Sequence, residues 1–201
     1  REREALAKHT ETRRVIEKSW KGFVRSGAKL NAEEQKQCST INERLSVLGA
    51  TFGQNVLADE KIPALILADS EELAGLPDWL KAAMASAATE RGHEGKFAVT
   101  LSRSIIEPFL TFSTRRDLRE AAFTAWVKRG EMQDAHDNRP LVKEMLALRA
   151  EKAKLLGYPS FAAFKLDETM AKTPDAVNDL LGNVWNRAVK RALEEEGALA
   201  E

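Results

Sequence analysis

Three histidines and one cysteine are the residues of this chain best suited to metal binding or nucleophilic chemistry. A zinc-binding helix places two His four residues apart so that both imidazoles face one ion, with a Glu after the first as general base. His93-Glu94 begins that pattern, but Phe97 stands where the second His is needed, and Gly92 and Gly95 predict a loop. His9 is followed by Thr10, and His136 lies in a linker between Asp134 and Asn138, with Pro140 four residues on. Spacing therefore predicts no catalytic, cofactor-binding or metal-ligating residue in this chain, and no cofactor bound to it. Cys38 would need an electropositive, partly exposed setting to act as a nucleophile; it falls on an apolar helix stripe and is expected to be a core thiol. The Gly49-Ala-Thr-Phe-Gly53 spacing predicts close helix packing or a kink. Arg13-Arg14, Arg115-Arg116 and Glu194-Glu195-Glu196 sit among opposite charges, the pattern of solvated faces.

The elements that would carry these residues read almost entirely as helices. Arg1 to Lys8 reads as helix interior with no cap in front of it, and Arg1 is not an initiator Met, so the chain is expected to be a piece of something longer. Ile16, Trp20, Phe23 and Val24 share one helix face, ending at Gly27. Asn31 with Glu34 has the spacing of a capping box. It opens a long helix whose inner face is Cys38, Ile41, Leu45, Leu48 and Phe52. Ile62 to Leu67 is apolar, but Pro63 argues for a loop or short turn over a central strand. Ser70 is expected to cap a short helix ending near Gly75. Pro77 then opens a helix to Arg91, with Leu80, Met84 and Ala87 inward and Gly92 as its stop. One strand stands out, Lys96 to Ser102, which must pair elsewhere: with Leu65 to Leu67, or with chain not present here.

Helices resume with Thr114 as cap, through Leu118, Ala122, Ala125 and Trp126 to Gly130. Asn138 is expected to cap the next, with Pro140 in its first turn, running through Val142, Met145, Leu146 and Ala153 to Leu156. Gly157 and Pro159 end it, and Ser160 caps a short turn containing Phe161 and Phe164. Thr173-Pro174-Asp175 opens a last helix with Val177, Leu180, Leu181, Val184 and Ala188 on one stripe, running to about Leu193. The fold class is mainly α, a bundle of long amphipathic helices with one short strand region at about 96–102. The domain reading is a single helical region over 1–201.

Composition excludes several functions. Across 201 residues, 31 Lys+Arg balance 31 Asp+Glu, so no basic excess is present to neutralise a phosphate backbone, and no nucleic-acid partner is expected. The longest uncharged run, Leu45 to Ala58, spans 14 residues and includes Ser46, Thr51, Gln54 and Asn55, where a membrane span needs about 20 apolar ones. The single cysteine rules out an intramolecular disulfide and a cysteine-based zinc site; with no signal-like segment, the expected compartment is the cytoplasm.

Several strings carry more than spacing can. In order they are Thr51-Phe-Gly-Gln-Asn-Val-Leu57, Phe112-Ser-Thr-Arg-Arg-Asp-Leu-Arg-Glu120 leading into Ala125-Trp126 and Arg129-Gly-Glu131, Asn138-Arg-Pro-Leu141, Leu155-Leu-Gly-Tyr-Pro159 with Phe161 and Phe164, and Met170-Ala-Lys-Thr-Pro174. From about Lys18 to Leu193 the chain resembles the thimet-oligopeptidase family of zinc metallopeptidases, above all its bacterial peptidyl-dipeptidase branch. The resemblance implies a much longer zincin-like, two-lobed parent, whose channel holds zinc on a His-Glu-x-x-His helix plus a downstream Glu. That motif is not in this chain, so no residue here inherits a catalytic or metal role.

What the resemblance implies is one wall of the channel, inactive alone. It would lie ahead of the catalytic helices, with short peptides as the parent's substrates, zinc as the parent's cofactor and the remaining catalytic lobe as partner. Release of dipeptides from the substrate C-terminus is the expected activity. The alternatives are an endo-acting oligopeptidase of the same family and a non-catalytic helical scaffold. A fragment should expose apolar faces where the missing lobe docks; a self-standing scaffold should not.

Overall fold

A computed structural model describes residues 10–131 and 135–200. The helix expected from Arg1 to Lys8, together with His9 and Asp134, lies outside the described residues. Among the described residues there are eight helices: α1 (Thr10–Arg25), α2 (Ala32–Lys61), α3 (Asp78–Thr89), α4 (Arg103–Phe112), α5 (Arg116–Val127), α6 (Arg139–Leu155), α7 (Phe161–Leu166) and α8 (Pro174–Ala200). The only strands among them are β1 (Leu65–Leu67) and β2 (Phe97–Val99). No helix is long and apolar enough to cross a membrane, among the residues described.

The local chemistry explains most boundaries. At Asn31 the capping box forms: its Oδ1 accepts from the backbone N–H of Glu33 at 3.0 Å and of Glu34 at 2.9 Å, while Glu34 Oε2 accepts from the Asn31 N–H at 2.9 Å. α6 ends where a residue with positive φ is needed. Gly157 has φ 82°, and the Tyr158 N–H reaches back to the Ala153 carbonyl at 2.9 Å, closing the last turn. Ser160 caps α7 by accepting from the Ala163 N–H at 3.1 Å. Removing that hydroxyl in Ser160→Ala should cost about 1 kcal/mol, the usual worth of such a cap, and a denaturant titration of the full chain would read it as a small fall in the unfolding midpoint.

Three expectations need correction. The turn at 70–75 is not a helix, and Asp69 rather than Ser70 holds it: Asp69 Oδ1 accepts from Glu71 and Glu72, while Glu72 Oε2 accepts from Ala68 at 2.7 Å. Thr114 does not cap α5; its hydroxyl and its N–H both donate to the Ala74 carbonyl. Asn138 precedes α6, yet Asp137 Oδ1 accepts the Arg139 N–H at 2.9 Å, because the Asn138 side chain is occupied elsewhere. The expected strand does pair with Leu65–Leu67, one of the two partners the sequence allows. β1 and β2 pair antiparallel with Leu65 opposite Val99, Ile66 opposite Ala98 and Leu67 opposite Phe97, and Pro63 stands just outside it. The residues 103–112, to which spacing assigns no element, form α4 despite Pro108 in its interior.

The chain divides into two compact units, one made of Arg1–Arg44 with Leu146–Glu201 and the other of Leu45–Met145. The second holds a continuous apolar core. Two strands do not stand alone in water; here α3 and α4 pack on β2 and α5 on β1. Leu80, Met84, Val99, Ile106, Phe109 and Ala122 are fully buried among them. In the first unit, Cys38 and Ile41 of α2 and Ala153 of α6 are buried, whereas α1, α7 and α8 bury no residue.

Candidate functional site

His93 sits in the α3–β2 turn, where its backbone N–H reaches the Ala88 carbonyl at 2.9 Å to finish α3, with Gly92 at φ 78° beside it. Its position is fixed by helix ending. Among the described residues there is no group of three or more His, Cys, Asp or Glu that could hold a metal ion. Cys38 is buried, with Asn42 Nδ2 3.7 Å from its sulfur. Gly49 and Gly53 do not form a close-packed seam: a Cβ at either would meet nothing within 4 Å. The charge runs pair locally, as Arg13 with Glu17 at 3.0 Å and Arg191 with Glu195 at 2.9 Å, and such exposed pairs contribute little.

Among the described residues, two clusters of polar side chains join parts of the chain far apart in sequence, neither foreseen from spacing. In the second unit, α2 turns Asn55 and Asp59 inward, 8% and 4% exposed. Asp59 Oδ2 accepts the Gly130 N–H at 2.6 Å, and the Asn138 N–H donates to the Gly130 carbonyl at 2.7 Å. Asn55 Nδ2 donates to Asn138 Oδ1 at 2.9 Å, and Asn138 Nδ2 to the Phe52 carbonyl at 3.2 Å. Arg129 adds an ion pair to Glu60 at 3.0 Å. Residues from three of the recognisable strings thus meet: Asn55 of the first, Arg129-Gly130 of the second and Asn138 of the third. Their shared work is to tie the middle of α2 to the loop between α5 and α6.

The signal for this cluster lies on the α2 stripe. Its rhythm continues past Phe52 to Asn55 and Asp59 with gaps of 3 and 4, and polar residues on a buried stripe must find partners. Phe52 itself, expected inside, is 38% exposed.

In the first unit, Asp167 follows α7 and accepts from Lys21 Nζ at 2.9 Å, the Tyr158 hydroxyl at 2.9 Å and Arg25 Nη1 at 3.1 Å. The Arg25 guanidinium also lies 4.3 Å from the Phe164 ring centroid. The hydrogen bond from Lys21, with those from Tyr158 and Arg25, holds the Asp167 carboxyl below its usual 3.8. A depressed native pKa means that the unfolded chain binds the proton better. The contact's contribution to stability is therefore fully present above about 3.8 and is lost as pH falls through the lower native value.

A third feature is a bare helix face. α8 presents Leu180, Leu181, Val184, Trp185 and Leu193 at helical spacing, and each is more than half exposed. An open groove of about 450 Å³ runs beside Leu110, Arg116, Arg119, Glu120 and Phe123. None of these places brings together a nucleophile, a general base and an electrophile; they can dock and brace, and no bond-breaking arrangement is among them.

Comparison with known proteins gives these features a context. Residues 109–201 match the family described as Peptidase family M3. The dipeptidyl carboxypeptidase of Escherichia coli K12 is 34% identical over 193 residues, covering 96% of this chain and 28% of that protein. The dipeptidyl carboxypeptidase of Salmonella typhimurium is 33% identical over 198 residues, covering 98% and 29%. Oligopeptidase A of Salmonella typhimurium is 33% identical over 184 residues, covering 90% and 27%. The chain thus spans under a third of the length of these relatives.

Proposed function

We propose, from the premise that this chain belongs to the thimet-oligopeptidase family of peptidases, M3, that it is a bracing segment of a zinc-dependent peptidase acting on short oligopeptides. The observation that carries the reading is the similarity to dipeptidyl carboxypeptidase along 96% of this chain but only 28% of the relative. It supports a reading in which the segment is one wall of a longer molecule, with peptide hydrolysis performed by residues outside it. The bare face of α8 supports the same reading, since about 25 cal/mol is lost for each Å² of apolar surface left in water. A second polypeptide region, the catalytic lobe of the same protein, is its natural cover. A single buried, unpaired cysteine suits a reducing cytoplasm.

The described residues offer no donor set that fits a zinc ion. His93 serves a helix end, and among the described residues no group of three or more His, Cys, Asp or Glu is placed to hold a metal ion. The part of this segment is to hold helices in place, through Asp59, Asn55 and Asn138 in one unit and Asp167 in the other.

Release of C-terminal dipeptides is the preferred specificity, supported by the two dipeptidyl carboxypeptidases among the relatives. Oligopeptidase A favours the alternative, an enzyme that cuts within short peptides. Amidating the substrate C-terminus separates them, because only the dipeptide-releasing enzyme depends on that carboxylate.

The direct test is metal content. After dialysis against zinc and then metal-free buffer, the 201-residue chain should retain no stoichiometric zinc and cleave no fluorogenic peptide, whereas a longer product of the same reading frame should do both. One tightly held zinc per chain would overturn the assignment of the metal site to another part of the protein.

A further inference from the structure

The helix α1 is fastened by charge. No residue of α1 is buried, and its Val15 and Phe23 are 59% and 69% exposed. Apolar burial therefore does little to dock it. Its strongest long-range contacts fall on one carboxylate, 142 to 146 residues away in sequence: Lys21 Nζ donates to Asp167 Oδ1 at 2.9 Å and Arg25 Nη1 to Oδ2 at 3.1 Å. Lys21 also lies 3.8 Å from Glu168, and Arg25 Nη1 reaches the Tyr158 hydroxyl at 3.2 Å.

The cluster is shielded but reachable. The side chains of Arg25 and Asp167 are 15% and 29% exposed, which strengthens attraction without sealing it from dissolved ions. Beside it opens a crevice of about 290 Å³ lined by Lys18, Lys21, Glu168 and Lys172. Lys172, in the turn that follows Asp167, has φ 65°, a left-handed conformation that lysine adopts at a cost. Residues held in that conformation cluster at clamps and switch segments.

We propose that α1 is a charge-held latch: Asp167 is the catch that engages Lys21 and Arg25, and neutralising or screening it frees α1 while the rest of the chain stays folded. Release uncovers the edge-on aromatic pair Tyr158–Phe164, whose rings are 5.3 Å apart and over which Arg25 now lies. The latch is a local opening of the kind that lies well below global unfolding in free energy.

Hydrogen exchange on the full 201-residue chain tests it. In Asp167→Asn the α1 amides should exchange about tenfold faster or more, the effect of losing one charge-assisted contact, while amides of α3, α4 and α5 keep their rates. Raising the wild-type protein to about 1 M salt, where the screening length is about 3 Å, should speed the α1 amides in the same selective way. Unchanged α1 exchange in the variant overturns the proposal. So does a uniform acceleration of every helix, which would make Asp167 a general stabiliser, and so does an α1 indifferent to salt, which would make its docking one of shape.

Discussion

Gly75→Ala is expected to lower the stability of the Leu45–Met145 unit by about 3 kcal/mol or more, the range of substitutions that force a clash on fixed backbone. Gly75 has φ 82°, where any Cβ is unfavourable. The space is also taken. A Cβ there would press directly on the Phe112 carbonyl oxygen and stand 2.8 Å from Thr114 Cγ2 and 3.1 Å from the Thr114 nitrogen. The last two belong to a segment pinned from both sides: the Thr114 N–H and hydroxyl donate to the Ala74 carbonyl, and the Ser113 carbonyl accepts from the Arg119 guanidinium. Relief by backbone movement would break those bonds, so strain and lost hydrogen bonds add. A denaturant or thermal unfolding curve of the variant beside wild type reads the effect. Gly92→Ala is the matched comparison, with similar φ of 78° but open space around it, and should lose only the conformational part. Equal losses at the two positions would show that crowding at Gly75 is relieved without cost.

Asn138→Ala should cost about 2 to 4 kcal/mol, a large effect for a side chain that touches no substrate. Asn138 is 3% exposed and spends both ends of its amide: Oδ1 accepts from Asn55 and Nδ2 donates to the Phe52 carbonyl. Truncation leaves the buried Asn55 amide without that acceptor and opens a small void, and the two penalties are of the same sign. Asn55→Ala alone should cost less, because Asn138 keeps its bond to Phe52. The double variant should fall short of the sum, since the first substitution already removes the shared hydrogen bond. Chemical denaturation of the four proteins measures the coupling, and strict additivity would mean that the bond contributes nothing of its own.

What the sequence disclosed and what it concealed follow from the range of the forces involved. Helix ends are legible at Asn31, Gly157, Ser160 and Thr173, where donor and acceptor lie within a few residues. They are hidden where the same residue types answer to a distant partner. Thr114 reaches Ala74, 40 residues away, and Asn138 reaches Asn55, 83 away, and no spacing rule registers such a preference. α4 was hidden because Pro108 breaks the helical signal in a segment of 10 residues, while burial of Ile105, Ile106 and Phe109 outweighs the bond that proline forfeits. The family resemblance was readable from ordered strings, and the structure supplies a physical reason for some of them: Asn55, Gly130 and Asn138 occupy one cluster. The Asp167 contact was not legible, since nothing near it in sequence announces Lys21 or Arg25.

The division of the chain into one continuous and one discontinuous unit also sets a schedule for the ribosome. Leu45–Met145 is complete as soon as its last residue emerges, but the other unit joins Arg1–Arg44 to residues that begin at Leu146. Arg25 must wait for Asp167, 142 residues later. At usual elongation rates of 5 to 20 residues per second that is roughly 7 to 30 seconds. During that interval the early helices have no counterpart to fold against, and Cys38 and Ile41 stand in water. The nascent chain therefore passes through a window in which the part before Leu45 waits for residues made after Met145, and it is there that a chaperone binding short apolar stretches would find it.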